Sequence, residues 1–128
     1  MELEALNCAL SICKVSEIPA DALDGLLCFV GKTDEELSLV CETRFVPAHA
    51  SAREDGWLAL RIVGVLDFSL TGILASLSAV FAKAGIGIFA VSTYNTDYIL
   101  VKEGDFEAAQ RALELAGHTI SFRTLQTE

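Results

Sequence analysis

The fold of this chain is decided by residues 57–102. They read WLALRIVGVL (57–66), DFSLTG (67–72), ILASLSAVFAKAG (73–85) and IGIFAVSTYNTDYILVK (86–102). The first run alternates like a strand but is apolar on both faces. We therefore expect both faces to be covered, one by helices and the other by a second sheet or a second subunit. A short polar loop, residues 67–72, separates this strand from the third run.

The third run is periodic in the manner of an amphipathic helix. Its apolar residues fall on one helical face: Ile73, Leu74, Leu77, Val80, Phe81 and Ala84. Gly85 suits the residue just past a helix end. The pattern then predicts strands over 86–94 and 98–102, with a tight turn at Asn95–Asp97. A second helix with Asp105 at its N-cap, ended by Gly117, and a last strand over 119–123 follow.

The first part of the chain repeats the beginning of this order. Strands are predicted over 6–15, 26–32 and 37–46, with a short helical turn between Pro19 and Gly25. The polar segment up to Gly56 has no sustained periodicity. The sequence therefore predicts two α+β units: a partial βαββ unit over 1–50, a linker over 51–56, and a complete βαββαβ unit over 57–125.

Composition excludes several kinds of partner. The 128 residues carry nine Lys and Arg against eighteen Asp and Glu, a net charge of −9. An acidic chain repels phosphate backbones, so we expect no nucleic-acid partner. No apolar run reaches the roughly 18 residues of a membrane helix, so no membrane association is expected. Glu2 and Glu4 stand where a signal peptide would be basic, which predicts a cytoplasmic protein.

The cysteines and histidines do not form a chemical motif. Cys8, Cys13, Cys28 and Cys41 have no C-x-x-C spacing, and the two histidines lie far apart. We therefore expect no metal site and no cofactor, and interpret the thiols as buried, reduced core residues. No cysteine has a nearby histidine that could activate it, so the sequence predicts no catalytic residue and no enzyme.

The C-terminal unit resembles an ACT domain. The resemblance rests on its βαββαβ order, on the helix entered through residues 67–72, on the return strand that begins AGIGI (84–88) and on STYNTDYILV (92–101). The last run is similar to tandem-ACT proteins, which include small bacterial proteins and the arginine-sensing CASTOR proteins. The ACT domains of these proteins are similar to the regulatory domains of aspartate kinase. The resemblance implies ferredoxin-like βαββαβ units in tandem, with an antiparallel sheet and helices on one face.

The resemblance also implies a ligand site. An amino acid would bind at an interface between ACT units, its carboxylate at the first helix N-terminus and its amino group at neighbouring strands. The implied ligand-binding positions are Asp67, Phe68, Ser69, Leu70, Thr71, Gly72, Ile73, Ser92, Thr93, Tyr94, Asn95, Thr96 and Asp97.

The residues themselves support this site and leave alternatives open. A helix N-terminus has unpaired N–H donors and the positive end of the helix dipole, and Gly72 lets the backbone approach closely. Ser69 or Thr71 caps the helix or contacts the ligand. Asp67 and Asp97 either bind an amino group or accept hydrogen bonds within turns.

Two functions follow from the sequence. The first is a non-catalytic sensor of a small molecule, most simply an amino acid, that acts through association of ACT units in a homodimer. The alternative is a ligand-free module for dimerisation or protein interaction. Arg61 either clamps a carboxylate or pairs across the dimer interface.

Overall fold

The computed structural model describes residues 1–64 and 72–124. The strands are β1 (Glu2–Lys14), β2 (Cys28–Lys32), β3 (Leu37–Glu42), β4 (Ala52–Ile62), β5 (Ile88–Ser92), β6 (Asp97–Lys102) and β7 (Thr119–Arg123). The helices are α1 (Ile73–Lys83) and α2 (Phe106–Leu115), and short 3-10 turns cover Ala20–Asp24, Thr43–Phe45 and Glu103–Asp105. The α+β class predicted from the sequence is confirmed.

The chain divides into two compact units. The C-terminal unit combines Met1–Asn7 with Leu58–Arg123, and the N-terminal unit contains Cys8–Trp57. The long strands β1 and β4 therefore each contribute residues to both units. The units predicted from the sequence, residues 1–50 and 57–125, have other bounds than these two. The predicted division stays a prediction.

The C-terminal unit has the strand order β1–β4–β6–β5, and β7 pairs with β1. β5 and β6 are antiparallel, from Ile88 opposite Val101 to Ser92 opposite Asp97. β7 runs parallel to β1, with Glu2 opposite Thr119. The sequence left open which strands β7 completes; it joins the first residues of the chain within the C-terminal unit.

The N-terminal unit has the order β2–β3–β1–β4. β3 lies antiparallel to both neighbours, with Cys41 opposite Cys28 on β2 and opposite Ser11 on β1. This is the strand order of a ferredoxin-like sheet. Its fourth strand is the beginning of β4.

Residues 52–56, predicted to lie in a linker, form the start of β4. The Ser51 N–H donates to the Lys14 carbonyl at 2.9 Å, and the Ser11 hydroxyl donates to Asp55 Oδ1 at 2.6 Å. Arg53 holds the same carboxylate through Nε and Nη2, at 3.0–3.1 Å. The segment is polar on both sides and therefore lacks the alternation that marks a half-buried strand. Hydrogen bonds, rather than buried apolar side chains, hold it in place.

The helix ends agree with the sequence. Gly85 and Gly117 have φ of 73° and 94°, in the left-handed region. After α1, the Ile86 N–H bonds to the Phe81 carbonyl at 2.9 Å and the Gly85 N–H to the Ala82 carbonyl at 3.1 Å. This pair of bonds is the Schellman motif, and α2 ends in the same way. Because the motif uses Ile86, β5 begins at Ile88 rather than at residue 86.

The core of the C-terminal unit lies between its helices and one face of its strands. Leu77 and Phe81 of α1 and Ala109 and Leu113 of α2 are buried there. They pack in one cluster with strand residues Leu3, Ala5, Leu60, Ile62, Ile99 and Val101. A separate cluster in the N-terminal unit contains Cys13, Val15, Ala22, Leu39 and Cys41.

Strand β4 is covered without a second subunit. Trp57, Ala59, Leu60 and Ile62 are buried within the single chain, and they include neighbouring residues that point to opposite faces of the strand. Its two apolar faces therefore give no reason to place a subunit interface there. For Arg61 the sequence leaves open a carboxylate clamp or a pair across a dimer interface; in the structure its guanidinium bonds Glu4 of the same chain at 3.0 and 3.2 Å.

Candidate functional site

The predicted ligand residues fall into two groups. Asp67, Phe68, Ser69, Leu70 and Thr71 lie outside the described residues. Gly72, Ile73 and the run Ser92–Asp97 are described, and all belong to the C-terminal unit.

Gly72 forms the start of α1. Its φ of 80° is in the left-handed region, which glycine adopts without the steric cost of a Cβ atom. Its carbonyl accepts the Ser76 N–H at 2.8 Å, the first helical hydrogen bond. A glycine has no side chain with which to cap the helix, and a helix N-terminus is in general suited to an anion.

The run Ser92–Asp97 forms the turn between β5 and β6. The Thr93 N–H donates to the Thr96 carbonyl at 2.9 Å, and the Thr93 hydroxyl donates to the same oxygen at 3.0 Å. Tyr94 and Asn95 lie at the tip, where Tyr94 is 80% exposed. The turn therefore consists of Thr93–Thr96, and Asp97, predicted to lie in the turn, is the first residue of β6.

Thr96 attaches the turn to the end of β4. Its hydroxyl donates to the carbonyl of Ile62, the last residue of β4, at 2.9 Å, and the residue is buried. The structure thus brings the turn to the end of β4. Because the Thr96 hydroxyl is used inside the protein, its contribution to a site is to position the turn.

The residues at the two ends of the turn, Ser92 and Asp97, have polar side chains. The Ser92 hydroxyl donates to Asp97 Oδ1 at 2.6 Å, across the last residue pair of β5 and β6. Ser92 is exposed and Asp97 is half-buried. A carboxylate oriented in this way is suited to an ammonium group. The next residue, Tyr98, lies beside Arg61, whose guanidinium carbon is 5.9 Å from the ring centre.

Sequence reasoning predicted a turn between the strands over 26–32 and 37–46 but missed that it repeats the turn Ser92–Asp97. In the N-terminal unit the Thr33 N–H donates to the Glu36 carbonyl at 2.9 Å, and the Thr33 hydroxyl contacts the same oxygen at 3.5 Å. Thr33 and Thr93 lie 60 positions apart, and Phe29 and Phe89 share that spacing. The strands on either side, β2 and β3, precede β5 and β6 by the same interval. The repeated Phe-x-x-x-Thr is the signal that could have revealed it.

The thiols are poorly suited to nucleophilic chemistry. Cys13 and Cys41 are buried, Cys8 and Cys28 are half-buried, and all four are free. Burial raises the pKa of Cys41 to about 12, and burial together with Glu42 raises the pKa of Cys8 to about 11. Thiolates, the reactive form, are therefore scarce near neutral pH.

Across residues 1–64 and 72–124, no group of three or more His, Cys, Asp or Glu residues is arranged to hold a metal ion. Within the same residues no helix has the length and apolar character needed to cross a membrane.

Comparison with known proteins identifies the class. Residues 52–114 match the ACT domain family. The regulatory subunit of aspartate kinase from Thermus thermophilus, in its ligand-free form, superposes with a TM-score of 0.61 at 16% identity, over 90% of this chain and 96% of that chain. At this identity the likeness concerns the fold. Residues 52–114 are therefore similar to an ACT domain, and the chain has the ferredoxin-like fold.

More similar proteins define the family further. Protein Atu0741 from Agrobacterium tumefaciens is 34% identical, with a TM-score of 0.87 over 99% of this chain and 96% of that chain. This chain belongs to the same family as Atu0741. The human protein CASTOR3P is 38% identical over 80 residues, which cover 57% of this chain and 45% of that protein. The chain thus spans less than half of the curated relative.

Replacing Thr96 with valine is expected to lower the free energy of unfolding by about 1–3 kcal/mol, because the Ile62 carbonyl loses its buried donor. Urea denaturation measures the change. Thr93→Val is the matched control at the exposed end of the same turn, where water can replace the lost hydroxyl. Equal losses of unfolding free energy in the two variants would show that the hydrogen bond from Thr96 to Ile62 stabilises the protein no more than the exposed Thr93 hydroxyl does.

Proposed function

We propose that this protein is a non-catalytic sensor that binds an amino acid at the C-terminal unit and responds through association of ACT units. The observation that supports it is the turn Ser92–Asp97, which Thr96 fixes at the end of β4 with the Asp97 carboxylate held by Ser92. The chain that leaves β4 there returns as α1, whose N-terminus begins at Gly72.

The two ends of an amino acid have opposite charges, and the proposed site offers one partner for each. The Asp97 carboxylate suits the ammonium group. The backbone donors and dipole at the start of α1 suit the carboxylate, and the dipole contributes typically ~0.3–1 kcal/mol. We propose residues 67–71, with Gly72 and Ile73, as the positions that contact the ligand carboxylate. Asn95 and Tyr94 at the turn tip would then contact the ligand side chain.

The broader family supports a regulatory role. ACT domains are regulatory, and the aspartate kinase neighbour is itself a regulatory subunit. The repeated turn at Thr33 and Thr93 supports the proposal that the N-terminal unit is a second, partial ACT unit in tandem. The free thiols are usual for the reducing cytoplasm, where we place the protein. We further propose that it acts as a homodimer.

A thermal-shift screen with the twenty amino acids tests the sensor proposal. Binding to the native state raises stability by RT ln(1 + [L]/Kd), about 2.7 kcal/mol at a concentration 100 times Kd. At least one amino acid is therefore expected to raise the melting temperature by several degrees. No shift at millimolar concentrations of any amino acid would instead favour the ligand-free interaction module.

Asp97→Asn locates the site. The variant keeps the size of the side chain and loses the charge that would pair with an ammonium group, so the ligand-induced shift is expected to disappear. Asp105→Asn is the matched control, since Asp105 is a half-buried acid of the same unit that stands before α2. If Asp97→Asn retains the full shift, the turn is not part of the binding site.

A further inference from the structure

The outward face of α1 is unusual for a helix at a protein surface. Ala75, Ser76, Ala79 and Ala82 are exposed, and within the eleven residues of α1 the charged residue is Lys83. Exposed helix faces normally carry charged or polar groups, whereas a helix that is hydrophobic all round is normally buried. By contrast, α2 exposes Glu107, Arg111 and Glu114.

A groove lies between α1 and α2. It has a volume of about 410 Å³ and is lined by Ala79, Val80 and Lys83 on one side and by Ala112, Leu115 and Ala116 on the other. Leu115 is 85% exposed, the highest value among the large apolar side chains of the described residues. The groove and an exposed apolar side chain that can enter it therefore belong to the same surface. Contiguous apolar surface of this kind marks an interaction site.

We infer that this surface, the outward face of α1 together with the α1–α2 groove, is where a second copy of the chain binds. In a two-fold arrangement each surface faces its own equivalent, so Leu115 of either copy enters the groove of the other. The charges are complementary in the same arrangement. Glu114 precedes Leu115, and Lys83 lines the groove that Leu115 enters, which gives two Glu114–Lys83 pairs across the interface.

The inference rests on the homodimer of the proposed function and gives it a location. It also links the two parts of the proposal, because α1 begins at Gly72 in the ligand site and presents its outward face to the partner. A ligand at the N-terminus of α1 would thus act on the helix that forms the interface. The association itself is tested without ligand, so a failed ligand screen and a failed dimer remain distinguishable.

Light scattering at micromolar concentration is the first test. The wild-type chain is expected at twice its 13.7 kDa mass. Leu115→Glu places a charge in the apolar groove and is expected to give a monomer with an unchanged circular dichroism spectrum. The matched control is Leu23→Glu, at a leucine that is 64% exposed in the N-terminal unit and should remain dimeric. A monomeric wild-type chain, or a dimeric Leu115→Glu variant, would overturn the inference.

Exchanging the charges of Lys83 and Glu114 tests whether these two residues pair across the interface. Lys83→Glu and Glu114→Lys each create two like-charge pairs in a homodimer, so each variant is expected to associate at least several-fold more weakly than the wild type. Mixing the two variants restores one native pair and creates one reversed pair, so a heterodimer is expected. Because each chain still carries its own substitution, an effect within one chain would not be rescued by mixing. Failure of the mixture to associate would exclude the Lys83–Glu114 contact.

Discussion

Phe81→Ala is expected to lower the free energy of unfolding by about 3–5 kcal/mol, the usual cost of deleting a fully buried aromatic side chain. Phe81 has no exposed surface and lies in the main cluster of the C-terminal unit, with Leu77 on the same helix face. Its carbonyl also accepts the Ile86 N–H that ends α1, so the residue stands where helix packing and helix termination meet. The loss is a large share of the ~5–15 kcal/mol stability of a typical domain.

Urea denaturation followed by circular dichroism measures this effect. Phe122→Ala is the matched control, since Phe122 is 65% exposed and meets Phe106 edge-on at a ring-centre distance of 6.0 Å. We expect that control to lose at most about 1.5 kcal/mol, the range for an aromatic pair. If both variants lost the same free energy, the described core would not be the main source of stability.

Leu3→Ala is expected to lower the free energy of unfolding by about 2–5 kcal/mol. Leu3 is fully buried in the same cluster as Phe81, although it lies at the other end of the sequence from most of that cluster. β1 places it there, between β7 on one side and β4 on the other. A loss of this size would show that the first residues of the chain are part of the C-terminal core.

Leu23→Ala is the control for Leu3, because the same atoms are removed from an exposed leucine. We expect Leu23→Ala to change the free energy of unfolding by no more than about 0.5 kcal/mol, as for most surface substitutions. A Leu3→Ala variant as stable as this control would mean that β1 pairs differently in solution.

The parts of the fold that were predictable from sequence carry strong local periodicity. The apolar spacing from Ile73 to Ala84 predicted α1, the two glycines predicted both helix ends, and alternation predicted β7 over its full length. The pairing of strands that lie far apart in the sequence was not predictable in this way. Nothing near Thr119 in the sequence indicates that its strand joins residue Glu2, because backbone pairing does not depend on side-chain pattern alone.

The start of β4 shows a second limit. Arg53 and Asp55 extend a strand through hydrogen bonds and an ion pair rather than through buried apolar groups, so a periodicity rule has nothing to detect. The candidate site shows a third limit of prediction from sequence. The types and spacing of Ser92–Asp97 indicated a polar turn, but they do not reveal that the Thr96 hydroxyl turns inward to Ile62. The role of Thr96 depends on which strand end contacts the turn in the folded chain, and the sequence pattern does not give this.

The parallel pairing of β1 with β7 affects how the chain folds. Glu2 and Thr119 are opposite each other although nearly the whole sequence separates them. Closing so long a loop costs entropy before the contact stabilises anything, and such distant pairings slow folding. During synthesis, residues 2–6 are made well before β7, their partner strand. Until β7 follows, they present an unpaired strand edge, so the synthesis of β7 completes the C-terminal unit and removes a site at which newly made chains could aggregate.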